Sequence, residues 1–467
     1  MICVSYALLF FVGLSGLLEV GVRALQIVSL LRPYTSRRWA ARPPQSPAQR
    51  PFVSVHVATH NEPPHLVIAT LESLAGNTLA DFEVIVVDNN TPDAAVWTPV
   101  AKAAAKLGER FKFVHVDGLS GAKAGALNVA LSMADPRLTH IAIVDADYQV
   151  DAAFLQDAVD SLTAAGVDYV QFPQAYRGVG RAARGVEYEL GDYFACFSRG
   201  AGRPGSMLPT GTLSVFAAPA LKAVGGWPTE TITEDARIGV LLQAAGYKGL
   251  WLARDRGRGL LPVDFQGLCK QRARWAAGNL QVLKSLCSCR WLRLDFADFL
   301  NLAAQLTSWV SLLLPAGVTL ILVGVLPGLP LSSAIATTAA GTVLISAMLT
   351  ALRMVFLSGR AVDWRVRLEA CGTKIALTWT SAVSWIPALI PHPLQFHRTA
   401  KAIGGKRDGE PVLAAVSLAF VAASAAYLAR GQFIQTAACG LLASIWLCAR
   451  AVDANLRRAA SLNPELR

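Results

Sequence analysis

Residues 53–90 read VSVHVATHNEPPHLVIATLESLAGNTLADFEVIVVDNN. Two Val/Ile-rich runs, Val53–Ala58 and Val84–Asp88, flank a helical pattern over Pro64–Ala75, and each run ends in a polar turn. Short apolar runs rich in β-branched residues, bounded by turn formers, read as strands buried on both faces. The alternation continues outward, with a helix over Val96–Leu107, a strand over Lys112–Val116, a helix over Ala122–Met133 and a strand over Ile141–Asp145. Strand–helix repetition predicts an α/β domain with a mainly parallel mixed sheet and helices on both faces. Ligands of such sheets sit outside the carboxyl ends of the strands, so the residues that end these strands are where chemistry is sought.

The domain is framed by apolar sequence. The 467 residues are 53% hydrophobic and 16% charged, and the mean hydropathy is +0.41. Soluble chains carry about 25% charged residues, so the composition excludes a soluble enzyme, a collagenous chain and a disordered one. Its unevenness excludes a pure helical channel, because turns, charges and acidic motifs concentrate in 51–297. The net charge of +11 gathers beside apolar runs, which fits orientation in a bilayer and not nucleic acid binding. The eight cysteines are scattered, and the lone pair Cys287 and Cys289 has no matching second pair. Neither a zinc site nor a disulfide framework follows.

A hydrocarbon core of about 30 Å needs about 20 helical residues. Residues 1–31 read as an uncleaved signal anchor whose Glu19 and Arg23 snorkel or face other helices. Residues 32–50, with five arginines and four prolines, read as a basic cytoplasmic linker, which places the domain at 51–297 in the cytosol. Residues 298–358 are expected to form a transmembrane hairpin of Phe299–Leu326 and Ser332–Phe356, and 411–467 a second hairpin of Val412–Leu428 and Phe433–Val452 with a tail. Between them, 359–410 reads as an interfacial or re-entrant helix over Ile375–Ile390 and a basic loop, with a true span as the alternative. The expectation is about five spans, cytoplasmic interface helices, the N-terminus outside and the C-terminus inside.

Each strand of the domain ends in something chemical. The first runs into Thr59-His60-Asn61-Glu62-Pro63, and the second ends at Asp88, a position that suits a ribose or base edge and equally an Asx turn. The fourth ends in Asp145-Ala146-Asp147; two carboxylates so spaced can share a hard divalent cation at a diphosphate, although the pattern is common by chance. Lys123, in Gly121–Asn128, enters a helix where an anion is favoured, without Walker spacing, and a solvated lysine is the plain alternative. Thr233-Glu234-Asp235 reads either as a helix N-cap or as a site whose Asp235 accepts a proton from an alcohol. In Gln271-Arg272-Ala273-Arg274-Trp275, positions 271, 274 and 275 share one helix face, offering an amide, a guanidinium and an indole, while Arg272 points elsewhere. A surface-lying amphipathic helix is the plainer reading of this segment.

The ordered set Asp88, Asp145-x-Asp147, Thr233-Glu234-Asp235 and Gln271-x-x-Arg274-Trp275 resembles the D, D-x-D, T-E-D, Q-x-x-R-W signature of processive family 2 membrane glycosyltransferases, among them cellulose, chitin and hyaluronan synthases. Asp88–Asp93, Gly121–Asn128 and Gly259–Pro262 are more similar to bacterial β-glucan synthases of the β-1,3 or cyclic-glucan type. Where cellulose synthases carry F-F-C-G-S, this chain has Pro209-Thr210-Gly211-Thr212, and no C-terminal regulatory barrel is recognised, so cellulose and built-in cyclic-dinucleotide control are not expected.

The resemblance implies a GT-A fold over 51–297 in a bacterial-type inner (plasma) membrane protein that polymerises a β-glucan from UDP-glucose on the cytosolic face and passes it through its own spans. It implies donor binding by Thr59, Asn61, Glu62, Asp88, Lys123, Asp145, Gln271 and Arg274, and acceptor binding by Thr210, Gly211, Thr212 and Trp275. Asp147 and Asp145 would hold Mg2+ or Mn2+, and the catalytic motif is Thr233, Glu234 and Asp235 with Asp235 as general base. Trp309, Trp379 and Trp385 would either stack on passing sugars or anchor at the interface. The alternatives are a non-processive enzyme acting on a membrane lipid, a chitin- or hyaluronan-like synthase, and a catalytically silent pore.

Overall fold

The computed structural model describes residues 2–31, 50–194, 207–288, 296–326, 328, 330–357, 362–390 and 410–466. The basic linker over 32–49, the basic loop over 391–409 and Cys289 lie outside these residues. The strands are β1 (Val53–Thr59), β2 (Phe82–Asn89), β3 (Phe111–Val116), β4 (His140–Ile143), β5 (Gln149–Val150), β6 (Tyr169–Gln171), β7 (Ala175–Tyr176), β8 (Ser214–Ala217), β9 (Gly249–Trp251) and β10 (Gly257–Gly259).

Seven of them form one sheet in the order β3-β2-β1-β4-β8-β6-β9, and β5-β10-β7 form a small second sheet. β1 pairs parallel with β2 and β4, β2 with β3, and β6 with β9, while β8 runs antiparallel to β4 and β6. Every residue of β2 is buried, and its two faces serve two layers. Val84 and Val86 pack with Val67, Leu71 and Leu74 of helix Pro64–Ala75. Ile85 and Val87 pack with Ala126 and Ala130 of helix Ala122–Met133. That two-sided burial is why the strand is uninterruptedly apolar. The chain leaves β1 toward β2 and β3 on one side and reaches β4 on the other, so a crevice opens at the carboxyl ends of β1 and β4.

Among the described residues, four helices are long and apolar enough to cross a membrane, Ile2–Val28, Ser332–Leu357, Glu410–Ala429 and Phe433–Leu462, with a shorter apolar helix over Leu314–Val325. The expected span Phe299–Leu326 is not one helix. It divides into Phe296–Leu306 and Leu314–Val325, separated by seven non-helical residues. Pro315 opens the second helix, where its missing N–H costs nothing, and the intervening backbone finds partners elsewhere. Ser311 N–H donates to the Ser381 carbonyl at 2.9 Å, Leu312 N–H to Glu19 Oε2 at 2.7 Å, and the Trp385 indole to the Ser311 carbonyl at 3.1 Å. Glu19 and Arg23 are 1% and 5% exposed, so they face helices and do not snorkel. The stretch 375–390 is likewise not one helix. It comprises the end of Trp364–Ala376, Thr378–Val383 and a 3-10 turn over Ile386–Leu389 opened at Pro387.

Candidate active site

At the mouth of the β1/β4 crevice lies a cavity of about 630 Å3. Its wall draws on residues from across the chain: Thr59 and Glu62, Lys123, Asp145 and Asp147, Thr210 and Gly211, Thr233, Glu234 and Asp235, then Gln271, Arg274 and Trp275. Segments more than two hundred residues apart therefore share one pocket.

Lys123 is the hub. Its ammonium pairs with Asp145 Oδ1, donates to the Gly211 carbonyl at 2.6 Å and lies 3.7 Å from Glu234. Burial works to lower its pKa, but the Asp145, Glu234 and Asp235 carboxylates outweigh it and the net shift is upward, so the lysine stays charged. Asp145 is oriented by Thr212, whose hydroxyl accepts from Asp145 N–H at 3.0 Å. Asp147 Oδ2 accepts from Leu260 N–H at 3.2 Å, and its carbonyl accepts from Arg177 at 2.5 Å.

Asp235 follows Thr233 at the start of helix Glu234–Ala244. Burial, and then repulsion from Glu234, raise its pKa from the ordinary 3.8 to about 7; Lys123, the Ala236 N–H and Arg274 pull the other way. A carboxyl poised there is suited to general-base work at neutral pH. Gly211 has φ +77°, and a Cβ on it would stand 3.0 Å from Asp235 Oδ2, so this loop approaches the carboxylate as only a glycine comfortably can. Thr233 packs closely on Gly278 of helix Phe265–Ser288, where a Cβ would come within 2.6 Å of the threonine hydroxyl. That contact joins the acidic motif to the helix of Gln271, Arg274 and Trp275. Thr233 Oγ1 and Gln271 Oε1 are buried and have no protein partner, which in a pocket wall is the condition of groups awaiting a ligand.

Three expected ligand contacts do not line the cavity. Asp88 is 3% exposed and fully engaged: Oδ1 accepts from the Thr59 and Thr91 hydroxyls at 2.9 and 2.7 Å, and Oδ2 bonds His115 Nδ1 at 2.7 Å. The Asp88 hydrogen bond is the first cause of a raised His115 pKa. Asn61 takes a left-handed conformation with φ 51°, and its N–H donates to the Thr91 hydroxyl at 2.7 Å. Thr212 is wholly buried behind Asp145. All three stand one layer back, as organisers of the wall. Conversely Asn89, Asn90, Tyr148, Gln174, Tyr176 and Leu260 line the pocket. The two asparagines adjoin a strand end already of interest, whereas Tyr176 comes from a two-residue strand with no periodic signal and Gln174 from the residues just before it.

Arg272 points away from the pocket, as helical spacing requires, and is 2% exposed. It pairs with buried Glu189, which also lies 3.5 Å from Lys374. Its guanidinium sits 4.1 Å from the Trp309 ring centroid and 5.0 Å from that of Trp275.

For a divalent cation, Asp145 and Asp147 offer hard oxygen donors at the end of β4, in a wall that also carries Glu62, Glu234 and Asp235. No cluster of three protein ligands occurs among the described residues. One or two carboxylates completed by substrate phosphates is how Mg2+ is usually held, so the donor set fits a metal that arrives with a diphosphate.

Two family models match the chain, glycosyl transferase family 2 over residues 54–211 and glycosyl transferase family group 2 over 140–358. A cellulose synthase catalytic subunit [UDP-forming] from Xanthomonas axonopodis pv. citri is 29% identical over 295 residues, 60% of this chain and 39% of that protein. A probable glucomannan 4-beta-mannosyltransferase from Arabidopsis thaliana is 28% identical over 55% of this chain and 48% of its own length, and a poly-beta-1,6-N-acetyl-D-glucosamine synthase from Staphylococcus epidermidis is 28% identical over 50% and 55%. The chain thus spans roughly 39 to 55% of these relatives. Among solved structures, a mannosyltransferase from Pyrobaculum calidifontis in complex with GDP-Man and Mn2+ aligns over 82% of this chain and 97% of its own, with TM-score 0.51 and 21% identity, a likeness of fold. Together the two models span residues 54–358 and overlap over 140–211, so the chain carries glycosyltransferase family 2 domains, on a GT-A sheet and beside helices long and apolar enough to cross a membrane.

Proposed function

We propose that this protein polymerises a β-glucan from UDP-glucose on the cytosolic face of a bacterial-type inner membrane, by inverting transfer, and passes the product through its own membrane helices. The observation that carries this reading is the convergence of Lys123, Asp145, Asp235, Arg274 and Trp275 on one cavity, with the Asp235 carboxyl poised near neutrality. Asp235 accepts the proton of the acceptor hydroxyl, whose oxygen attacks the anomeric carbon as the bond to the UDP oxygen breaks. Lys123 and Arg274 balance the charge gathering on the departing diphosphate. A bound Mg2+ or Mn2+, held by Asp147 and Asp145, would supply Lewis-acid neutralisation of that charge. Trp275 offers an indole face to the acceptor sugar, and Gly211 keeps the acceptor loop against the base.

Purified protein given a panel of UDP-sugars and either metal should release UDP with UDP-glucose and yield a linkage-definable polymer. Organic-soluble glycolipid as the sole product would replace this reading with the non-processive one. An N-acetylhexosamine or uronate polymer would replace the sugar, and no UDP release with any donor would refute catalysis. Sealed vesicles of known orientation, scored for which side holds radiolabelled glucan, test translocation.

A further inference from the structure

Two charged residues in the middle of an apolar span are costly to keep, and in helix Ile2–Leu31 they have one evident structural task. Glu19 Oε1 bonds Arg23 Nε at 2.9 Å and the Ser346 hydroxyl at 2.7 Å, while Oε2 takes the Leu312 N–H at 2.7 Å. Arg23 donates to Gln26 Oε1 at 3.3 Å and reaches across to the Val310 carbonyl at 2.9 Å. The pair thus satisfies backbone on both sides of Ser311 inside the non-helical segment between Leu306 and Leu314, replacing helical hydrogen bonds that the break removes.

That segment presents Trp309. The indole is 9% exposed, stacks on Tyr193 at 5.1 Å with 23° between planes, and lies 5.0 Å from the Trp275 ring. Trp275 in turn lines the catalytic cavity. A continuous line of contacts therefore runs from the first membrane helix through Val310 and Trp309 to the wall where an acceptor sugar would rest.

We infer that Glu19 and Arg23 are positioning residues for the acceptor: they hold Trp309, and through it Trp275, at the height that brings an acceptor hydroxyl to Asp235. This rests on the reading of Trp275 as an acceptor contact given above. Displacement of such a wall by an ångström is felt in turnover and product length and leaves the donor side untouched.

The test uses the full chain in lipid nanodiscs. Glu19→Ala and Arg23→Met are compared with Tyr427→Phe, which removes a 2.9 Å hydrogen bond to the Leu320 carbonyl among the membrane helices, away from this segment. The expected result is kcat for UDP release lowered about tenfold or more and shorter product, with UDP affinity within about twofold of the parent. Arg23→Lys, which keeps a cationic donor, and Glu19→Gln, which keeps an acceptor, should recover part of the loss and remain informative if the larger changes do not insert. Unchanged kcat, a kcat loss no greater than that of Tyr427→Phe at matched melting temperature, or a parallel fall in UDP affinity overturns the inference. A Trp275→Ala variant with parental kcat would instead overturn the acceptor reading beneath it.

Discussion

The base assignment makes a quantitative claim about pH. Burial and Glu234 raise Asp235 from 3.8 to about 7. With a midpoint there, about 9% of the enzyme carries the ionised base at pH 6 and about 91% at pH 8, so kcat/KM should rise about tenfold across that interval. A carboxyl at its ordinary value would give a flat profile over the same range. The perturbers fix the direction of further shifts. Glu234→Gln removes a like charge and should move the acid limb down; Lys123→Met removes the opposing cation and should move it up, at the cost of donor binding. Linkage supplies a second readout. Because the folded pKa is raised, the stability this group contributes is complete below pH 3.8 and lost as pH rises through 7. Asp235→Asn should therefore melt no lower than the parent at pH 8 while turning over about 10²-fold or more slowly. The assay is UDP release from pH 5.5 to 8.5 with melting followed in the same buffers. A flat parental profile, or near-parental turnover by Asp235→Asn, would refute the reasoning.

Other perturbations probe the walls of the same pocket. Gly211→Ala places a Cβ 3.0 Å from Asp235 Oδ2 on a backbone with φ +77°, and turnover should fall about 10²-fold with UDP affinity retained, as read by steady-state kinetics and isothermal titration. Asp88→Leu strands the Thr59 and Thr91 hydroxyls and His115; a stability loss of about 1–3 kcal/mol and a raised donor KM should appear in chemical denaturation and initial rates. Glu189→Ala leaves buried Arg272 without its carboxylate, which should cost about 3–5 kcal/mol in the same denaturation assay, because an unpaired buried charge is worse than no pair.

Much of the catalytic fold was legible because β1, β2 and β4 are buried along nearly their whole length, so that with the Phe/Val-rich edge strand β3 they stand out as β-branched and aromatic stretches followed by polar turns. The later strands, β5 to β10, span two to four residues each, too short for any periodicity to register. Among site residues, motif spacing identified side chains that face the cavity wherever a turn or helix face set their direction. Lys123 enters at a helix start, and Gln271, Arg274 and Trp275 share a face by the 3.6-residue repeat. It failed where direction depends on partners distant in sequence. Asp88 ends its strand as expected, yet Thr59, Thr91 and His115, brought beside it only by the pairing of β1, β2 and β3, claim both its oxygens. The membrane region misled for a related reason. Hydropathy reads 299–326 as one span because the residues that replace its broken helical hydrogen bonds are Glu19, Arg23, Ser381 and Trp385, none of them local. A charge within a predicted span is thus informative about a break in a different span: the carboxylate at 19 is matched by Arg23, by the Ser346 hydroxyl and by the Leu312 N–H of an irregular backbone elsewhere in the chain.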